Sequence, residues 1–175
     1  MKNIVATLTL FFATALSAQV AIGKTSISSP AVSLEFYDNA DNTRGIILPW
    51  VTSTAAVTGA VNGTLVYNTA DRKVYVKYAS GWRDLSVDNT GTVTTTLQDS
   101  LTDQDTAKVL IGGDPATDTT PGILVLADTN KAMVLPKVAS PHLNIVKPSP
   151  GMMVYDTTKK QLAVFNGTVW SFWKP

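Results

Sequence analysis

Few side chains in this 175-residue sequence are suited to catalysis or metal binding. It has one histidine, His142, one glutamate, Glu35, and no cysteine, which excludes thiolate nucleophiles, thiolate metal sites and disulfides. His142 follows a Ser-Pro pair in the second half, and the matching region near Thr54 has no histidine. A solvated loop histidine and an ordinary strand-face glutamate are the favoured interpretations. The sequence therefore predicts a protein that is not an enzyme and uses no cofactor or metal.

Two segments are rich in the carboxylate and amide oxygens that calcium prefers, residues 38–42 and 99–105. Neither has the glycine and terminal glutamate spacing of an EF-hand loop. Residues 112–115, Gly-Gly-Asp-Pro, lack the Lys-Ser/Thr pair of a phosphate-binding loop. We interpret these segments as turns and polar linker.

The aromatic residues are better candidates for contact with another molecule. Trp50 and Trp173 have no aromatic counterpart elsewhere in the repeat described below, and we predict that they are surface contacts for a sugar or another subunit. The other tryptophans and two tyrosines occupy equivalent positions and are predicted to fill the core. Six residues form the signature of the repeat: Gly63, Tyr67, Trp82, Gly151, Tyr155 and Trp170.

The second half of the sequence repeats the first at a displacement of 87 to 89 residues. The matching blocks are residues 20–23 and 109–112, 45–51 and 132–138, 63–69 and 151–157, and Trp82 and Trp170. Blocks that recur in the same order with nearly constant offsets indicate a duplication. We name residues 19–87 copy 1, residues 109–175 copy 2, and the polar residues 88–108 between them the linker.

Short apolar runs bounded by turn residues predict strands, and no segment has a long helical period. The predicted strands are residues 32–37, 64–68, 73–78 and 82–85 in copy 1 and 123–126, 152–156, 161–165 and 169–173 in copy 2. The Asn166-Gly167 pair is a strong hairpin signal between the last two strands. Residues 52–62 and 139–150 are looser, with room for one helical turn, and Leu97 and Leu101 predict a brief helix in the linker. The predicted class is all-β: two tandem small β-meander modules joined by a polar linker, elongated and fibre-like.

Residues 1–18 have the features of a secretory signal peptide. Lys2 precedes an apolar stretch at 4–16, which is shorter than the roughly 20 residues that span a bilayer. We predict cleavage after Ala18, and Ala13-Thr14-Ala15 also fits the cleavage rule. The prediction is export to the periplasm, outer surface or extracellular space, with no membrane span in the mature chain.

Charge and size favour self-association. The chain has 14 Lys+Arg and 13 Asp+Glu, and removal of Lys2 makes them equal, which argues against nucleic-acid binding. A neutral exported protein has weak colloidal repulsion. A lone module of this size buries only about 60% of its unfolded surface, so either the copies pack together or identical chains complete each other's cores. We predict a homo-oligomer, with a trimer favoured.

The order of these motifs resembles secreted proteins of Bacteroidetes bacteria, whose module is similar to one in phage tail-fibre and collar-like proteins. The residues that carry the resemblance are 45–51, 63–69 and Trp82, then 135–136, 151–157 and 166–170. Trp50 and Lys137 follow the Leu-Pro pairs where the common form has Pro-Arg. The resemblance implies an elongated, β-rich, often trimeric stalk or surface appendage.

The predicted function is that of a secreted or cell-surface structural and adhesive protein, which acts by multivalent contact with itself and with a cell-surface protein or glycan. The alternative is a pair of glycan-binding modules that use Trp50 and Trp173 as exposed aromatic rings.

Overall fold

The computed structural model describes residues 19–102, 104 and 106–174. The predicted signal peptide, residues 1–18, lies outside the described residues, so export stays a prediction. The regular secondary structure of the described residues is almost entirely β-strand, with one four-residue α-helix and one 3-10 turn. The all-β prediction is confirmed.

Each copy contains seven short strands in the same order. In copy 1 they are β1 (Val20–Ile22), β2 (Val32–Phe36), β3 (Ile46–Ile47), β4 (Trp50–Val51), β5 (Leu65–Asn68), β6 (Lys73–Tyr78) and β7 (Gly81–Asp84). In copy 2 they are β8 (Val109–Ile111), β9 (Leu124–Leu126), β10 (Ala132–Val134), β11 (Lys137–Val138), β12 (Met152–Asp156), β13 (Gln161–Phe165) and β14 (Trp170–Trp173). The 3-10 turn, Thr54–Ala56, and the helix α1, Pro141–Asn144, lie in the two looser stretches. The predicted strands differ from these bounds by a single residue at some ends.

The meanders of the two copies have the same topology and the same turn chemistry. In each, a short strand pairs in parallel with the first strand of an antiparallel meander: β4-β5-β6-β7 in copy 1 and β11-β12-β13-β14 in copy 2. The first hairpin places Arg72 at φ 62° and its counterpart Lys160 at φ 54°. The side chains of Asn68 and Asp156 accept hydrogen bonds from the turn N–H groups at distances of 3.0 and 2.9 Å.

The third strand of each copy pairs with the other copy. β3 is antiparallel to β12, with Ile46 opposite Met153 and Ile47 opposite Met152. β10 is parallel to β2, with Met133 opposite Leu34. The two β-modules are therefore joined by backbone pairing in two places.

One core lies between the meanders and takes side chains from both. Its buried members are Leu48, Tyr67, Val74, Leu85, Met153 and Val164. Leu48 and Leu135, the leucines of the two Leu-Pro blocks, both contribute to it. A second cluster lies within copy 2 and contains Val138, Ile145, Met152, Val154, Ala163 and Phe165. The copies thus pack together, which is one of the two arrangements that the small module size predicts.

The linker forms hydrogen-bonded turns, and the brief helix predicted there is wrong for its described part. Leu97 and Leu101 are exposed, so a helix has no apolar surface to pack on, and an isolated helix of this length is unstable in water. The start of the linker instead lies against the Asn166-Gly167 turn, where Thr168 Oγ1 donates to the carbonyl of Thr90 at 2.9 Å.

Candidate functional site

The residues suited to catalysis are not brought together. His142 is exposed on α1, and its ring meets the edge of Phe172 with centroids 5.7 Å apart. Among the described residues, no group of three or more His, Asp or Glu side chains is placed to hold a metal ion. No helix in the described part of the chain has the length and apolar character needed to cross a membrane.

Glu35 lies on strand β2, as predicted, and its side chain is fully buried. Its carboxylate lies 2.9 Å from the Lys24 ammonium and accepts a 2.7 Å hydrogen bond from the Ser28 N–H. Burial alone would raise the pKa of Glu35, but these two donors outweigh it and hold that pKa below its usual value. Lys24 also pairs with Asp38 at 3.2 Å, and Asp38 pairs with Lys137 of copy 2 at 3.4 Å. The charges therefore tie the two copies together.

Trp50 is half-buried against the shared core. Its indole N–H donates a 2.9 Å hydrogen bond to the carbonyl of Pro150, and its ring lies 6.1 Å from that of Tyr67. Pro150 belongs to copy 2, so this tryptophan already contacts the other copy of its own chain. The polar edge of the ring is occupied by that contact.

Trp173 makes the reciprocal contact, from copy 2 to copy 1. It is half-buried, and its indole N–H donates to the carbonyl of Leu85 in copy 1. The Arg83 guanidinium lies 5.3 Å from the centre of its ring, within the range of a cation–π contact. Both tryptophans predicted as surface contacts therefore make hydrogen bonds between the copies, and part of each ring stays exposed.

Tyr67 is the most deeply placed member of the repeat signature. It is fully buried, and its hydroxyl donates a 2.7 Å hydrogen bond to the backbone carbonyl of Asn166, across the contact between the copies. Burial raises the pKa of Tyr67 to about 12. Its counterpart Tyr155 is only half-buried, so equivalent residues have different surroundings.

The two signature glycines also differ. Both have positive φ, +91° at Gly63 and +78° at Gly151. A Cβ on Gly151 would lie 2.8 Å from the Cβ of Tyr67, whereas a Cβ on Gly63 would meet no atom within 4 Å. Trp82 and Trp170 are both half-buried, and Trp170 packs on Phe165 with ring centres 5.2 Å apart. Gly151 of copy 2 is therefore in close contact with Tyr67 of copy 1, whereas the space next to Gly63, its counterpart in copy 1, is open.

The strand edges show the same asymmetry. In copy 1, β10 covers the edge of β2, and Leu34 is 1% exposed. In copy 2, the equivalent strand β9 pairs with β8 alone, and Leu124, the counterpart of Leu34, is 47% exposed. We call Leu124–Leu126 the β9 edge.

A second open edge lies at the start of β5. In copy 2, β3 covers the start of β12, where Met152 and Met153 are buried. Their counterparts are Thr64 and Leu65, which pair with β6 on one side, and no described strand pairs with them on the opposite side. We call residues 64–65 the β5 edge.

Comparison with protein families gives one result for this chain. A model described as the phage tail like trimerisation region matches residues 114–174, which lie within copy 2 and include β9 to β14. Comparison with curated proteins and with solved structures gave no match. The match supports the similarity to phage tail modules that the repeat motifs predict.

Proposed function

We propose that the chain is a structural protein that assembles into a homotrimer with fibre-like character and acts by contact rather than turnover. The single observation that carries this proposal is the similarity of residues 114–174 to a phage tail-like trimerisation region. Copy 1 repeats the same order of strands, so each chain brings two related units to the assembly.

The side chains of the described residues support a structural role. The polar groups of Trp50, Tyr67 and Trp173 are used to hold the two copies together. Five of the exposed apolar side chains lie on or beside strands: Ile22, Ile47, Val109, Ile123 and Leu124. Exposed apolar strand edges are surfaces on which another chain can add.

The location and adhesive role form the finer part of the proposal. The signal-peptide pattern at residues 1–18 supports export, and the resemblance to secreted fibre-like proteins supports a place at the cell surface. A trimer there would present three copies of each contact surface to a cell-surface protein or glycan, which strengthens weak individual contacts. Mass analysis of the exported product tests the location: the mature chain should begin at Gln19, and retention of residues 1–18 in the cytoplasm would contradict it.

Light scattering on the mature chain tests the assembly. We expect three chain masses over a wide range of concentrations. A single chain mass at every concentration would overturn the proposed function.

Sugar binding by Trp50 and Trp173 is the alternative. Their indole N–H groups are occupied inside the chain, so the exposed ring faces would have to make the contact. A glycan array compared with the Trp50→Phe and Trp173→Phe variants tests it. Absence of binding by the parent chain would reject this alternative.

A further inference from the structure

We propose that copy 2 of one chain binds copy 1 of another chain through two strand pairs. The β9 edge of the first chain pairs with β3 of the second, and β10 of the first chain pairs with the β5 edge of the second. The inference rests on the proposed homotrimer and identifies the surfaces that would form it. Its occupant is a second copy of this chain, because each open edge has its complement at the opposite end of the same sequence.

The contact within the chain supplies the geometry. Copy 1 contributes β2 and β3, and copy 2 contributes β10 and β12. In terms of the repeat, the second and third strands of one copy meet the third and fifth strands of the next. The two partners use different surfaces, so the contact is of the heterologous, head-to-tail kind.

The same contact can be made once more at each end of the chain. Copy 2 still presents its own second and third strands, β9 and β10. Copy 1 still presents its third and fifth strands, β3 and β5. If β9 and β10 of one chain pair with β3 and β5 of another, the contact seen within the chain is repeated between the two chains.

Backbone groups at the β5 edge are positioned to form hydrogen bonds with another strand. In copy 2, the N–H of Leu48 donates a 3.1 Å hydrogen bond to the carbonyl of Gly151. The equivalent acceptor is the carbonyl of Gly63, and among the described residues no group donates to it. Along β5, the N–H of Tyr67 donates away from β6 to Pro49. Because backbone groups alternate along a strand, the N–H of Leu65 faces the same open side.

Burial supports pairing at the β9 edge. The side chain that is 1% exposed under β10, Leu34, corresponds to Leu124 at 47%. The partner strand would be β3 of another chain, whose Ile47 is 53% exposed. Pairing of β3 of one chain with the β9 edge of another would cover apolar side chains on both strands.

The repeat also fixes the register between chains. Transfer of the observed pairs by the repeat offsets places Met133 of one chain opposite Leu65 of the next, in antiparallel strands. In the parallel strands, Leu124 corresponds to Leu34 because Val20 pairs with Leu34 and its counterpart Val109 pairs with Leu124. The observed pair of Met133 with Leu34 therefore places Ile46 opposite Leu124. A one-residue slip would put side chains on the wrong face, so the register is a specific prediction.

One residue makes the contact between chains looser than the contact within the chain. A Cβ on Gly45 would lie 2.6 Å from Val154 Cγ1 and 2.9 Å from the Met153 carbonyl. Its counterpart in copy 2 is Ala132, which would bring a Cβ to the equivalent place on copy 1. Relief of this overlap in an Ala132→Gly variant should tighten the trimer roughly tenfold.

Disulfide trapping tests the register, because the parent chain has no cysteine. The mature chain carrying Leu65→Cys and Met133→Cys is oxidised gently and run on a non-reducing denaturing gel. The in-register pair should give a ladder of linked chains that stops at three. Thr64→Cys with Met133→Cys is the off-register control and should stay a single chain. Ile46→Cys with Met153→Cys, the pair observed within one chain, should form its bond without linking chains.

A second pair guards against damage to the core by the Leu65 substitution. Ile46→Cys with Leu124→Cys should give the same ladder from the β9 edge. If light scattering shows a trimer but neither in-register pair links chains, the proposed interface is overturned while the trimeric function stands. If the parent chain is a monomer, both fall. A ladder that continues beyond three would support the interface but describe an open filament instead of a closed ring.

Discussion

Removal of one hydroxyl group from the contact between the copies should weaken the whole fold. Tyr67 is fully buried, and its hydroxyl is the group that bonds to the buried backbone carbonyl of Asn166. A Tyr67→Phe substitution keeps the ring and its packing, and it leaves that carbonyl without its partner. A buried polar group that loses its hydrogen bond costs roughly 1–3 kcal/mol, so we expect the free energy of unfolding to fall by about 2 kcal/mol.

Tyr155→Phe provides a matched control from the same position of the other copy. Tyr155 is half-buried, and its hydroxyl has no hydrogen-bond partner among the described residues. We expect its removal to change the free energy of unfolding by less than about 0.5 kcal/mol. The two variants delete the same atom from equivalent strands, so the difference between them measures the contact between copies.

Urea unfolding followed by tryptophan fluorescence measures both variants. For a chain of this size, 2 kcal/mol corresponds to a midpoint about 1 M lower in urea and a melting temperature about 4–8 °C lower. Both variants should be measured at the same chain concentration, so that any contribution of assembly to stability is matched between them. Equal losses in Tyr67→Phe and Tyr155→Phe would refute the idea that this hydrogen bond secures the two copies.

The same hydroxyl predicts a change at alkaline pH. Burial raises the pKa of Tyr67 to about 12 in the folded chain, whereas an unfolded tyrosine ionises near pH 10. The folded state therefore holds this proton more tightly, and stability that is complete below pH 10 is lost as the pH rises through 12. Tyr67→Phe should be less sensitive to pH over that window. An identical alkaline slope in both proteins would contradict the assignment.

Three further predictions follow from the charges and the glycines. Glu35→Gln should lower the free energy of unfolding by about 2 kcal/mol, because it removes a fully buried partner of Lys24. Asp84→Asn, at a partly exposed ion pair, should cost less than about 1 kcal/mol, and a similar loss in both would count against the buried pair. Because the pKa of Glu35 is lowered in the folded chain, its stabilising effect should be present above about pH 4.5 and be lost in more acidic solution, with a shallower loss in Glu35→Gln. Gly151→Ala should destabilise by about 2 kcal/mol more than Gly63→Ala in thermal melts, since both have positive φ but only the first brings a Cβ against a neighbour.

The sequence predicted the elements of the fold better than the way they pair. Strands such as Lys73–Tyr78 and Gln161–Phe165 follow from local alternation and from turn residues, and the structure confirms them. The exchange of β3 and β10 between copies has no local signal, because two- and three-residue strands carry little pattern. Their partners lie far along the chain, and only packing decides between them.

The site follows the same division. Comparison of the copies identified Tyr67 as a shared position and Trp50 as an aromatic residue without a counterpart, yet could not show that their polar groups bond to the other copy. The open edges at Thr64–Leu65 and Leu124–Leu126 were not identified at all. A signal was present in the repeat itself, since an apolar residue such as Leu124 matches the fully buried Leu34. Only the pairing of the strands shows which of the two equivalent positions is covered.

The exchanged third strands also set the order in which the chain can fold. Ile46 meets Met153 more than a hundred residues further along, so copy 1 cannot place β3 until copy 2 has been made. Contacts this distant in sequence require a long loop to close, at a cost in chain entropy, before they contribute to stability. Folds built on such contacts form slowly. Neither copy of a newly made chain can therefore complete its strand pairing on its own. We expect the chain to reach its folded state later than two independent modules would, because both halves must be present before these strands can pair.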